Sequence, residues 1–239
     1  MGAEVLITGV SGGLGKALAG LYLERGCTVY GLSRREPAEL MKDERFLFSS
    51  VDLRDFAATE ESLKKHIETK NINLVVLNAG ILGDFGDMTT TRLEVMKEVM
   101  DVNLWVNKVI LDYLFQNGVA VQQVVAISSG ASVSGARGWN GYGISKAALN
   151  MMVKLYAAER SETHFCALAP GIIDSAMQEH LCGLDASNDY PVLKKLQEAR
   201  NTKYMPQPAE AAHIVANCID RLPDVVKSGA YTDVREFQQ

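Results

Sequence analysis

Short apolar runs alternate with longer amphipathic ones along almost the whole chain. Glu4–Thr8 is an apolar run of strand type; Gly9-Val-Ser-Gly-Gly-Leu-Gly15 is a glycine turn, and Lys16–Arg25 has apolar positions at helical spacing. The same reading predicts strands over Gly26–Ser33, Phe46–Val51, Asn73–Gly80, Val119–Ser129, Thr163–Ala169 and Ser228–Asp233. Between them, helical periodicity covers Asp55–Thr69, roughly Arg92 to Asn117, Tyr142–Glu159 and Pro208–Arg221, the last opening on a proline as helices allow. Asn73–Gly80 is almost continuously apolar, as a strand buried on both faces must be. The fold class that follows is α/β, a single domain over residues 1–239 with a doubly wound parallel sheet of about seven strands and helices on both faces. Ile172–Arg200 mixes short helical patterns with polar breaks and is read as a mobile lid.

Composition narrows the function classes. A chain of 239 residues suits one sizeable domain, and 47% hydrophobic with 22% charged residues is ordinary for a globular protein. The net charge of −5 offers no basic field for nucleic acid. No apolar run approaches the ~20 residues of a membrane span and no basic leader opens the chain, so a cytoplasmic protein without membrane contact is expected. Met1-Gly2 is not expected to be an acylation start, since Leu6 stands where that motif wants Ser or Thr. Cys27, Cys166, Cys182 and Cys218 are scattered, with no Cys-x-x-Cys pair and no histidine at metal-ligand spacing, and are read as reduced thiols without a metal.

Several strand ends carry candidate chemistry. In Thr8-Gly9-x-x-x-Gly13-x-Gly15, which also holds Ser11 and Leu14, glycines permit close backbone approach to a pyrophosphate. The free N–H groups and positive dipole of the next helix would hold that anion. At the second strand's end an acidic residue would grip the 2′-hydroxyl of NAD, yet the chain has Ser33-Arg34-Arg35, which favours the 2′-phosphate of NADP(H). Asp52-Leu53 closes the third strand; the carboxylate can accept from an adenine amino group, cap the next helix or lie in water. Asn78-Ala79-Gly80 ends the fourth strand, and Asn103 falls inside a predicted helix, where asparagine is unfavourable unless solvated or serving a site.

Tyr142-Gly-Ile-Ser-Lys146 puts a phenol and an ammonium one helical turn apart. A phenol titrates near pH ~10, and bringing it to ~7 needs roughly 4 kcal/mol, about the Coulomb energy of one ammonium ~4 Å away at an effective dielectric of 20. Alone, the pair is also what a solvated helix surface carries.

Taken in order, Thr8-Gly9-x-x-x-Gly13-x-Gly15, Asp52, Asn78-Ala79-Gly80, Asn103, Ser129, Tyr142-x-x-x-Lys146 and Pro170-Gly171 resemble the short-chain dehydrogenase/reductase family over essentially the whole length. The resemblance implies a Rossmann-type fold, with NADPH/NADP+ held additionally by Pro170, Gly171, Ile173 and Ser175. It further implies Tyr142 as general acid, Lys146 as its pKa modulator and ribose ligand, Ser129 as hydrogen-bond donor to a carbonyl, and Asn103 in a proton relay. Ser129 is preferred to Ser128 because its spacing to Tyr142 is the family's, while Ser128 should face the other side of the strand. Leu77, Ser175 and Gly12 depart from the family pattern, replacing a frequent Asn, a usual Thr and a basic residue common among NADP users.

Within the family, Ser128-Ser-Gly-Ala, Gly138-Trp139 and Met177-Gln178 are similar to benzil reductases, and Ser228-Gly-Ala-Tyr-Thr-Asp233 to sepiapterin reductases. That implies reduction of a small-molecule ketone beside another carbonyl, with Trp139, Met177 and Asp233 as substrate residues. Asp233 also reads as an edge-strand carboxylate in water. An NAD-dependent alcohol dehydrogenase and a catalytically silent dinucleotide sensor are the rival readings. A homodimer or homotetramer is expected, since Leu104, Trp105, Val109 and Leu111 look more exposed than one core-facing stripe requires.

Overall fold

The computed structural model describes residues 2–185 and 189–237. Its first half runs β1 (Glu4–Thr8), α1 (Gly13–Glu24), β2 (Thr28–Ser33), β3 (Phe46–Ser50), α2 (Phe56–His66), β4 (Asn71–Leu77), α3 (Leu93–Met100) and α4 (Val106–Gln116). The second half runs β5 (Ala120–Ile127), α5 (Ala131–Ser134), α6 (Asn140–Glu159), β6 (His164–Ala169), α7 (Ala176–Cys182), α8 (Pro191–Ala199), α9 (Pro208–Val225) and β7 (Ala230–Asp233).

All seven strands are parallel, in the order β3-β2-β1-β4-β5-β6-β7. Alternation along each strand sends successive side chains to opposite layers. Val5 and Ile7 of β1 pack with Leu18 of α1 and Val215 of α9, whereas Leu6 packs with Ile110 of α4 and Leu149 of α6. The chain order reverses between β1 and β4, so the crevice at their carboxyl ends is where such a sheet receives a ligand.

Four departures from the sequence reading bear on the site. α1 begins at Gly13, not Lys16, so the glycine turn supplies its first N–H groups. β5 stops at Ile127, leaving both serines beyond the strand. A single π-helical turn, Asp101–Trp105, separates α3 from α4 and carries Asn103 inward. Leu104 and Leu111 are buried, contrary to the expected exposed face, because this helical region packs against both the sheet and α6; Trp105 is exposed and Val109 half-buried. The lid region 172–200 consists of α7 and α8, whose Leu181, Leu193 and Leu196 are buried beside Tyr142; its residues 186–188 lie outside the described ones. Among the described residues no helix is long and apolar enough to cross a membrane.

Candidate active site

A cavity of about 400 Å³ runs across the carboxyl ends of the strands. Thr8, fully buried and not on the cavity wall, accepts hydrogen bonds through Oγ1 from the N–H groups of Asn78 and Ala79, both at 3.0 Å. Asn78 returns a bond from Nδ2 to the Thr8 carbonyl at 2.9 Å. The ends of β1 and β4 are thereby stitched together under the glycine turn.

The glycines of that turn differ in purpose. A Cβ on Gly15 would lie 2.3 Å from both Asn78 Nδ2 and the Gly9 carbonyl oxygen, so no side chain fits. Gly13 has φ 54, a conformation glycine adopts without cost, and a Cβ there would meet only Ser175. A Cβ on Gly12 would meet nothing within 4 Å. Bare backbone at the start of α1 therefore faces the cavity beside Gly9, Ser11 and Leu14, and this cradle fits a dinucleotide pyrophosphate.

Farther along, Ser33, Arg34, Arg35, Asp52 and Leu53 line the wall. Ser33 donates to the Arg35 carbonyl at 2.8 Å, turning the chain so that both arginine side chains stay exposed. Arg54 grips Asp52 through Nη2 at 2.6 Å and Nε at 3.1 Å, and this pairing holds the carboxyl down at about 2. The helix cap falls to Asp55, which accepts from the Ala58 N–H at 2.9 Å. Arg54 also reaches Glu98 at 2.8 Å, and both residues line the cavity. Neither was singled out in the sequence, where 44 positions separate them and no motif links them.

At the other end, the first turns of α6 bring Tyr142 and Lys146 to the cavity beside Ser129 and Gly80. Burial pushes the Tyr142 phenol above its ordinary value, while its hydrogen bond with the Ser129 hydroxyl pulls it down. Lys146 Nζ stands 5.8 Å from the Tyr142 ring centroid and donates to the Ile127 carbonyl at 2.7 Å. Burial lowers the Lys146 pKa to about 8. In the free protein burial therefore dominates at the Tyr142 phenol. Ser128 is buried and donates to Asn150 Oδ1 at 2.6 Å, leaving Ser129 as the serine whose hydroxyl lowers the Tyr142 phenol pKa.

Asn103 is fully buried, so the solvated reading of a mid-helix asparagine fails. Its Oδ1 accepts from the Ile81 N–H at 2.8 Å, and its Nδ2 donates to the Ile81 carbonyl and to Ser145 Oγ, both at 2.9 Å. These bonds tie the loop after β4 to α6. Gly80 is hemmed in by the same groups, since a Cβ there would lie 3.3 Å from Asn103 Oδ1 and 3.4 Å from Lys146 Nζ.

Ala79, Pro170, Gly171, Ile173 and Ser175 form more of the wall, with Met177 and Gln178 beyond them. Gln178 Oε1 is buried without a partner among the described residues, a feature no sequence motif announced. Trp139 packs 5.7 Å from Tyr142 and 5.4 Å from Phe85, which in turn lies 5.3 Å from Tyr190, centroid to centroid. Asp233 is neither in water nor on the cavity wall: it is buried, and Arg235 holds it through Nε at 2.7 Å and Nη2 at 2.6 Å.

Known proteins share this plan. A benzil reductase ((S)-benzoin forming) of Bacillus cereus is 28% identical over 233 residues, spanning 90% of this chain and 93% of its own. An NADPH-dependent pterin aldehyde reductase of Arabidopsis thaliana is 31% identical over 193 residues, spanning 77% and 80%. The crystal structure of a short chain dehydrogenase/reductase from Saccharomyces cerevisiae, 25% identical, superposes with a TM-score of 0.85 over 98% of this chain and 96% of that one. The model of the short chain dehydrogenase family matches residues 3–182, well over half the chain, and the protein belongs to that family.

Proposed function

We propose that this protein is an NADPH-dependent carbonyl reductase that converts a ketone lying beside another carbonyl, such as a vicinal diketone or a sepiapterin-like side chain, into an alcohol. The observation that carries the reading is one cavity with Ser129, Tyr142 and Lys146 at one end and a bare glycine turn followed by Arg34 and Arg35 toward the other. The start of α1 would hold the pyrophosphate; Ser33, Arg34 and Arg35 the 2′-phosphate; Asp52 and Leu53 the adenine. Asn78–Gly80, Tyr142 and Lys146 would meet the nicotinamide ribose, and Pro170, Gly171, Ile173 and Ser175 the nicotinamide. When bound, the reduced nicotinamide supplies the hydride.

Ser129 donates a hydrogen bond to the ketone oxygen and Tyr142 gives that oxygen a proton, completing the alcohol as the carbon is reduced. A buried phenol keeps its proton until an oxyanion develops beside it, and the Lys146 ammonium stabilises the phenolate left behind. Asn103 acts by holding the Ile81 loop against α6, and its place in a proton relay belongs to this proposal. Trp139, Phe85 and Tyr190 do not line the cavity but form an aromatic cluster against Tyr142, and a flat aryl or pteridine group beside that cluster would be consistent with the names of the Bacillus and Arabidopsis relatives. Asp233, gripped by Arg235, does not line the cavity.

Following NADPH and NADH consumption with vicinal diketones and sepiapterin, and NAD+ reduction with the matching alcohols, tests the reading. Equal or faster turnover with NADH, or no ketone consumed, overturns it. The protein is also proposed to be a cytoplasmic homo-oligomer. The apolar face that supports this comprises Trp105 together with Ile144, Met151 and Leu155 of α6, between 45% and 57% exposed. A monomer in sedimentation at micromolar concentration would contradict that.

A further inference from the structure

A second cavity, about 270 Å³, shares Pro170 and Gly171 with the first and is otherwise built from different residues. The neighbours Ile172 and Ile173 divide between the two, Ile172 lining the second cavity and Ile173 the first. Apolar groups make most of the second cavity's wall: Ile172, Pro206, Ala211, Ile214 and Val234. Its polar groups are Lys203, Tyr204 and Arg235.

Part of this polar capacity is unused: Asp233 balances the charge of Arg235, and Lys203 is the cation left without a carboxylate among the described residues. Lys203 is exposed and has no ion pair among the described residues; its Nζ rests 5.5 Å from the Tyr204 ring centroid. Arg235 gives Nε and Nη2 to Asp233, while Nη1 has no partner among the described residues. Tyr204 is 69% exposed on a turn that buries the adjacent Met205, and the turn starts at Asn201, which adopts a left-handed φ of 61. A large aromatic side chain so exposed beside an apolar hollow has surface to gain by folding over an occupant.

Cations above an apolar floor select an anion with an apolar body. Inorganic phosphate would leave the floor bare, a dinucleotide exceeds the volume, and an uncharged hydrocarbon would ignore Lys203 and Arg235. The cavity lies just below the ~300 Å³ where drug-sized ligands begin, so the ligand is smaller than those. We propose that this second cavity binds a small amphipathic carboxylate, with its apolar body against Ile172, Ile214 and Val234, its charge met by Lys203 and one oxygen accepting from the remaining Nη1 of Arg235.

The proposal rests on the larger cavity taking the dinucleotide but not on any reduction there, and its test needs no turnover. Protein carrying 13C-labelled isoleucine methyl groups, saturated with NADPH to fill the larger cavity, is titrated with octanoate and separately with octanol, watching Ile214 and Ile173. The expected result is a saturable shift at Ile214 with octanoate, weakened about tenfold by Lys203→Ala, restored by Lys203→Arg, and at least tenfold weaker with octanol. Lys203 is exposed, so its replacement leaves the core intact. No saturation at Ile214, equal affinity for octanol, indifference to Lys203→Ala, or shifts confined to Ile173 would each overturn the assignment.

Discussion

Gly12 and Gly15 lie in one turn, yet the structure assigns their replacements opposite outcomes. In Gly15→Ala the new methyl would sit 2.3 Å from Asn78 Nδ2 and from the Gly9 carbonyl oxygen, more than 1 Å inside ordinary van der Waals contact. Asn78 Nδ2 cannot retreat without losing its bond to the Thr8 carbonyl, and the Gly9 oxygen belongs to the turn's own backbone. Overpacking costs about 1–3 kcal/mol and the lost buried hydrogen bond about 1 kcal/mol more, against a gain of about 1 kcal/mol from alanine's helix propensity. The net loss is about 1–3 kcal/mol, and at roughly 2–4 °C per kcal/mol for a chain of this size the melting temperature falls by about 2–12 °C. Displacing the Gly9 carbonyl also disturbs the cradle, so NADPH affinity should drop at least tenfold. Gly12→Ser meets nothing within 4 Å, keeps an extended φ of −178 that any residue adopts, and places a hydroxyl at the N-cap of α1. Its stability should match or exceed wild type by a few tenths of a kcal/mol. Thermal melting of the free proteins with fluorescence titration of NADPH checks both arms. If the two variants melt together, or Gly12→Ser is the weaker, the reasoning from these distances is wrong.

The two serines after β5 should separate cleanly. Ser129→Ala is expected to cost about 10²-fold in kcat with little change in melting, whereas Ser128→Ala, which strands Asn150, should cost about 1 kcal/mol of stability and spare turnover. Lys146 predicts a pH effect on the free protein. Its folded pKa of about 8 lies below the ordinary 10.5, so between these values the unfolded state binds more protons and wild type gains stability as pH rises. Relative to Lys146→Met the gain approaches about 3 kcal/mol by pH 10.5, and denaturant melts at pH 7.5 and 9.5 that show no relative gain would refute it. Arg34→Ala should weaken NADPH roughly ten- to a hundredfold and leave NADH unchanged, and a parallel loss of both in steady-state kinetics would remove Arg34 from the 2′-phosphate.

Local signals in the sequence were sufficient where the physical cause was local. Apolar runs placed β1 and β4, and the glycine turn was legible because only glycine permits a φ of 77 at Gly9 and the crowding at Gly15. Periodicity misjudged Leu104 and Leu111 because it reports that a helix has an apolar face, not how many neighbours cover it, and here the sheet and α6 both do. Arg54 and Glu98 meet only in the fold, and the reading of Asp233 as a carboxylate in water fails because a carboxylate's partner cannot be read from its own position, even with Arg235 two residues away.

Asn103 shows why such misreadings gather near the site. Helix propensity disfavours it, and in the structure it occupies a π-helical turn with every side-chain polar group engaged by Ile81 and Ser145. The Ile81 N–H and carbonyl lie outside both β4 and α3, where no strand or helix ladder supplies a partner. An asparagine side chain presents one acceptor and one donor side by side, as a backbone peptide does, and can satisfy both groups at once. The local cost of asparagine and of the irregular turn is therefore the condition for fixing the loop that follows Gly80, and with it the wall facing Lys146.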